Sequence, residues 1–174
     1  MNVTLLKHPS DEDWLFCKQM TLNTVGKSST ILPKDEWKVK ILESEHSPIR
    51  TLWFAFKLEI PYYASVHLVR HKLGIEHFVT SQRTDRTGLD RNKLPQDTIV
   101  SHCIYLNAEA FARMSHMRLC KQADETTQSI VREMVRLAVE SNPEFKTTLV
   151  KNCVYRGGKC TEFNSCKYKK GENK

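Results

Sequence analysis

No run of about 18 uncharged apolar residues occurs in the 174-residue sequence, which excludes a conventional membrane-spanning helix. The N-terminal MNVTLLKHPSDEDW lacks an apolar segment of signal-peptide length and turns acidic early, so a cytoplasmic location is the expectation. Glycine-rich phosphate loops, GxGxxG, HExxH and GxSxG are all missing. That removes the P-loop and dinucleotide-fold readings, the zincin proteases and the hydrolases built on a nucleophile elbow. There is no internal repeat and no low-complexity stretch, so the chain reads as one domain, residues 1–174, with a tail of shifted composition from about 150.

What is present is a chain of 40% apolar residues with a formal charge of +7, from 27 cations against 20 anions. That mixture suits a soluble globular domain with a substantial core and an anionic ligand, whether nucleotide or nucleic acid. Six cysteines stand at 17, 103, 120, 153, 160 and 166. In a secreted chain they would suggest disulfides; in a cytosolic one, reduced thiols, a metal site or packing. None stands out as an activated nucleophile. Cys153-x6-Cys160-x5-Cys166 contains no CxxC pair, so no metal is assigned. Those three remain the candidate ligands, with a fourth to come from Cys103, Cys120 or a histidine.

Periodicity supplies the elements. Asp11–Leu22, with an acidic first turn, reads as a helix, and Pro33–Leu42 as a second with Pro33 in its first turn. Leu52–Ile60 alternates apolar and other residues as a half-buried strand does. Pro61 opens a helix, YYASVHLVRHK, that would carry Arg70, His71 and Lys72 at its C-terminal end. Residues 73–96 read mainly as loop, Thr98–Leu106 as a strand, and Asn107 as the cap of a helix of about fifteen residues. A last helix spans Asp124–Glu140, with Pro143 just beyond it. The fold class is α+β, with a small antiparallel sheet packed on helices.

Two constellations carry chemistry. Val69–Arg86 holds three arginines, one lysine and two histidines in eighteen residues. Forked guanidinium groups and hydroxyls at Arg70, Ser81, Arg83 and Arg91 suit phosphate oxygens; a solvated charged loop would show the same composition. Arg118 falls on the buried stripe of Phe111 and Met114. A guanidinium there requires an anionic partner, a salt bridge, or a stem that reaches water.

SPIRTLWFAFKLEIPYYASVHLVRHK resembles the signature block of the flavin-dependent thymidylate synthases: Ser-Pro, a strand, a helix and an Arg-His-Lys in place of Arg-His-Arg. A second block matches in order: Arg91, Leu94-Pro95, a strand, Asn107-Ala108, then Arg118 eleven residues past that Asn. The resemblance spans roughly residues 44–146. It implies methylation of dUMP or a related pyrimidine nucleotide, with methylenetetrahydrofolate as carbon donor and FAD, reduced by NADPH, as hydride source. It implies a homotetramer with the fold of the thymidylate synthase-complementing proteins, and flavin contacts at Ser47, Arg70, His71, Lys72 and Asn107. Ser81, Arg83 and Arg91 correspond to nucleotide contacts, and Arg118 to the residue that polarises the uracil ring. His67 replaces a glutamine, Arg50 and Val79 replace glutamates with Glu76 nearest to the latter, and the strict register of the serine falls on Thr80, one residue before Ser81. Most of the helical segment between the blocks is absent. The alternatives are a flavin-dependent methyl- or hydroxymethyltransferase acting on another base, and a nucleic-acid-binding module with a zinc tail.

Overall fold

The computed structural model describes residues 1–166; the end of the basic tail, where fraying is expected, lies outside them. Strand β1 (Asn2–Lys7), helix α1 (Asp11–Asn23) and helix α2 (Asp35–Glu43) lead to β2 (Trp53–Pro61) and α3 (Tyr62–Leu68). Then come β3 (Ile75–Val79), the single turn α4 (Thr84–Thr87), β4 (Ile99–Asn107), α5 (Ala108–Arg118), α6 (Glu125–Ser141) and α7 (Asn152–Tyr155). The strands form one antiparallel sheet in the order β1-β2-β4-β3. The α+β class with a small antiparallel sheet is the one expected.

The alternation of β2 does what its sequence requires. Phe54, Phe56, Leu58 and Ile60 are buried, and β4 places Val100, Ile104 and Leu106 on the same face. Phe111 from α5 packs edge-on against Phe54 and Phe56, and Phe145 against Phe54. Helix α6 adds Ile130, Val131, Met134 and Ala138, its apolar stripe. Burying each large side chain contributes about 1.5–3 kcal/mol. The other sheet face is left open: Trp53 stacks on Tyr105 at 4.5 Å, and Phe78 beside them is 63% exposed.

Three boundaries differ from the sequence expectation. Pro33 lies ahead of α2, which starts at Asp35 after Lys34 as cap. Helix α3 ends at Leu68, so Arg70, His71 and Lys72 sit in the turn beyond it. Helix α5 has 11 residues rather than fifteen. Two strands were not anticipated, β1 and, inside the expected loop, β3; each is short and gains its partners only from distant β2 or β4.

Candidate functional site

Asn107 closes β4 and opens α5, its side chain accepting from the Ala110 N–H at 3.0 Å. Its own N–H donates to Gly74 O at 3.0 Å, which ties the segment after α3 to the start of α5. Gly74 has φ +73°, and a Cβ there would come within 2.5 Å of Asn107 Nδ2. Only glycine satisfies both the left-handed backbone and that approach. A cavity of about 380 Å³ opens beside them, lined by Gly74, Asn107, Arg50, Glu109 and Arg113 among others. Its one carboxylate is already neutralised: Glu109 accepts from Arg50 and, at 2.6 Å, from Arg113. The hydrogen bond from Arg50, ahead of other causes, holds its pKa below the usual carboxylate value.

Arg118 ends α5, half-buried as its position on the Phe111–Met114 stripe requires. Nε donates to His71 Nε2 at 2.9 Å and Nη2 donates to His67 O at 3.0 Å. Among the described residues no carboxylate pairs with Arg118, and both of its protein acceptors are neutral, so no salt bridge within the chain compensates its charge. Burial first, and the charge of Arg70 second, push its pKa below the ordinary guanidinium value. His71 is driven down to about 4 by burial, then by the charges of Arg118 and His77. It is therefore uncharged near pH 7 and keeps its Nε2 lone pair for Arg118.

A polar line fixes the turn that holds His71. Ser65 Oγ lies 3.0 Å from His102 Nδ1, His102 Nε2 lies 2.9 Å from His77 Nδ1, and His77 Nε2 lies 2.8 Å from His71 O. The last acceptor is a carbonyl, so His77 donates there through Nε2–H and accepts through Nδ1. His102 must then donate through Nε2–H and accept the Ser65 hydroxyl proton at Nδ1. Every proton in the line is assigned, provided that both rings are neutral. His102 is fully buried, and burial followed by the charge of His77 lowers its pKa to about 4. Neither His77 nor His102 was singled out in the sequence. The available signal was the alternation of IEHFV, which puts Ile75 and His77 on one face opposite the inward residues of β4.

The remaining expected residues are distributed around this centre. Arg70 and Lys72 are exposed in the same turn, and neither forms an ion pair among the described residues. His67 Nδ1 meets Thr127 Oγ1 at 3.0 Å. Glu76 is exposed on β3 and points, by alternation, to the open sheet face with Phe78. Ser81 accepts from the Arg83 N–H at 3.3 Å; the Arg83 guanidinium is engaged twice, at 2.9 Å, by Asp85. Arg91 is exposed in a 3₁₀ turn, and Ser47 is exposed at the start of another. Thus Arg70, His71, Lys72, Asn107 and Arg118 are gathered on one side of the sheet end. Ser47, Glu76, Ser81, Arg83 and Arg91 share no hydrogen bond with them.

No family model matches the chain, and no curated protein matches it. Among solved structures, the chain is similar to the UMP/dUMP methylase PolB from Streptomyces cacaoi, whose structure was determined with 5-Br dUMP bound. The TM-score is 0.66 at 13% identity, over 86% of this chain and 97% of that one. At that identity the likeness establishes a shared fold over most of this chain and nothing finer.

Proposed function

We propose that this protein methylates the pyrimidine ring of dUMP or a closely related uridine nucleotide. The observation that carries the reading is Arg118: a half-buried guanidinium fixed by two neutral acceptors, with its charge left uncompensated, on a fold shared with a UMP/dUMP methylase. A cation held in place, partly stripped of water and free of a counter-charge, stabilises negative charge that develops during reaction more than charge already present. A uracil ring that gains a nucleophile or a hydride at carbon 6 becomes an enolate, with such charge on its C4 carbonyl oxygen. Neutral His71 serves this arrangement by orienting the guanidinium without quenching it.

The finer reading follows the resemblance of the two sequence blocks. Arg70, Lys72 and Asn107 would hold the flavin, with the bare backbone at Gly74 allowing close approach. The donor set fits: two exposed cations suit a diphosphate, and the adjoining cavity has its carboxylate already paired. FAD, reduced by NADPH, would supply the hydride, and methylenetetrahydrofolate would supply the carbon. Arg83 and Arg91 would take the nucleotide phosphate, Arg83 by exchanging its exposed and weak pairing with Asp85. A cavity of about 380 Å³ is small for FAD and a nucleotide together. Further copies of the chain would complete the enclosure, the tetramer that the sequence resemblance implies.

The test is to purify the protein, release any flavin by denaturation, and incubate the FAD-loaded form with reductant, the folate donor and dUMP or UMP. Product mass spectra should show the gain of one methyl group on one of the two nucleotides. A hydroxymethyl product would move the chemistry to the alternative transferase. An FAD-loaded protein that leaves both nucleotides unchanged would overturn the reading.

A further inference from the structure

The C-terminal segment is built against the usual economics of folding. After α7 the chain runs from Arg156 to Cys166 without helix or strand, and every residue in it is exposed, Phe163 completely. Fixing a residue's backbone opposes folding by about 1–2 kcal/mol. Eleven such residues need a compensating interaction that apolar burial does not supply here.

Yet the segment is folded back on the body. Gly157 and Gly158, at φ +65° and +99°, reverse the chain immediately after α7, with the Gly158 N–H donating to Cys153 O at 2.7 Å. Asn152 Nδ2 donates to Thr161 Oγ1 at 2.6 Å, and Gln122 Nε2 donates to Asn164 O. These bonds join the tail to α7 and, through Gln122, to the turn after α5. They surround one small cavity, about 20 Å³, that admits a single water-sized body. Four of the six cysteines line it: Cys120 from the turn after α5, Cys153 from α7, and Cys160 and Cys166 from the tail. Lys121 and Lys151 line it too. The other two thiols are elsewhere, Cys17 buried against Pro48 O and Cys103 on the open sheet face.

We propose that Cys120, Cys153, Cys160 and Cys166 form a structural site for one zinc ion, which staples the C-terminal tail to the end of α5. Soft thiolates in a set of four are the donors that tetrahedral zinc prefers, and a closed four-ligand shell is structural rather than catalytic. A zinc tetrathiolate carries a net charge of −2, for which Lys121 and Lys151 provide two positive neighbours. As they stand, the described His, Cys, Asp and Glu side chains do not converge as a ligand set. Closing the shell takes rotation of the thiols about their Cα–Cβ bonds and settling of the exposed loop around the ion. This assignment is independent of the nucleotide chemistry, because the site shares no residue with the Arg118 centre.

The test uses the full chain, purified under reducing conditions and supplied with zinc sulfate. Elemental analysis after gel filtration should find one zinc per chain, retained against a weak chelator and released by a thiol-blocking mercurial. Cobalt(II) in place of zinc should give the intense visible bands of a tetrahedral tetrathiolate. Cys160→Ser and Cys166→Ser should reduce zinc to background, whereas Cys103→Ala should retain it. Both serine variants alter exposed residues, so circular dichroism should still report the folded body. Chelation should expose the tail to trypsin and leave the rest of the chain intact. Folded wild-type protein without stoichiometric zinc, a six-coordinate cobalt spectrum, zinc retained by Cys160→Ser, or thiol counts showing two disulfides would each overturn the assignment.

Discussion

Replacing Arg118 by alanine removes two hydrogen bonds from a charged donor, to His71 Nε2 at 2.9 Å and to His67 O at 3.0 Å. Hydrogen bonds to charged groups contribute about 1.5–3 kcal/mol each. Against that stands the desolvation of a half-buried cation with no carboxylate partner, which Arg118→Ala relieves. The second effect offsets part of the first, so the loss of stability should fall below the roughly 3–6 kcal/mol that the two bonds contribute. Rate should not be spared: removal of one preorganised donor in a dry site lowers turnover by about 10²–10³. Arg118→Lys should rescue little, since an ammonium cannot span the imidazole and the carbonyl as a planar fork does. A second readout is independent of activity. His71 is held near 4 by burial and then by the Arg118 charge. In Arg118→Ala its titration, followed by NMR, should move upward toward the ordinary value near 6.5. A variant with the wild-type rate and an unmoved His71 titration would refute the reasoning and make Arg118 a structural residue.

The histidine line predicts a pH dependence of folding. His102 titrates near 4 in the folded chain and near 6.5 unfolded, so the unfolded state binds the proton first as pH falls. Its contribution, on the order of 3 kcal/mol, is fully present above pH 6.5 and is lost between 6.5 and 4. Urea midpoints measured across that window should fall with pH in the wild type and less steeply in His102→Phe, where His71, also held near 4, still contributes; parallel curves would contradict the assignment. Gly74→Ala should cost about 1–2 kcal/mol from its left-handed backbone alone, before the clash with Asn107 is relieved. If the flavin site proposed above is correct, the substitution should also weaken flavin binding, which titrations would register. Phe145→Ala, which empties the core beside Phe54 and Trp14, should cost about 3–5 kcal/mol in equilibrium unfolding. A loss below about 1 kcal/mol would mean that the core closes over the gap.

Strong periodicity was enough for β2, β4 and α6, which each bury a regular stripe, and the acidic first turn marked α1; the bounds of all four fall within a residue or two of those read from the sequence. Strands β1 and β3 were illegible for a physical reason: six and five residues long, they are defined by pairing with distant β2 and β4 rather than by local pattern. The same dependence hid His77 and His102, which become a pair only when β3 lies against β4. Arg118 was visible as a cation on an apolar stripe. Its acceptors were not, because His71 stands in a turn where a continued helix was expected, and the His67 carbonyl lies at the end of the shortened α3. The four cysteines around one cavity were half legible. Three stand close in the tail, but Cys120 joins them only through the tail's return to the end of α5.

The most direct measurement of the central claim is release of tritium from carbon 5 of labelled dUMP or UMP, with FAD, NADPH and methylenetetrahydrofolate, by wild type and Arg118→Ala at equal flavin content. The account predicts folate-dependent release by the wild type and a loss of at least about a hundredfold in the variant. Equal rates in the two proteins, or no release by a flavin-loaded wild type from either nucleotide, would contradict it.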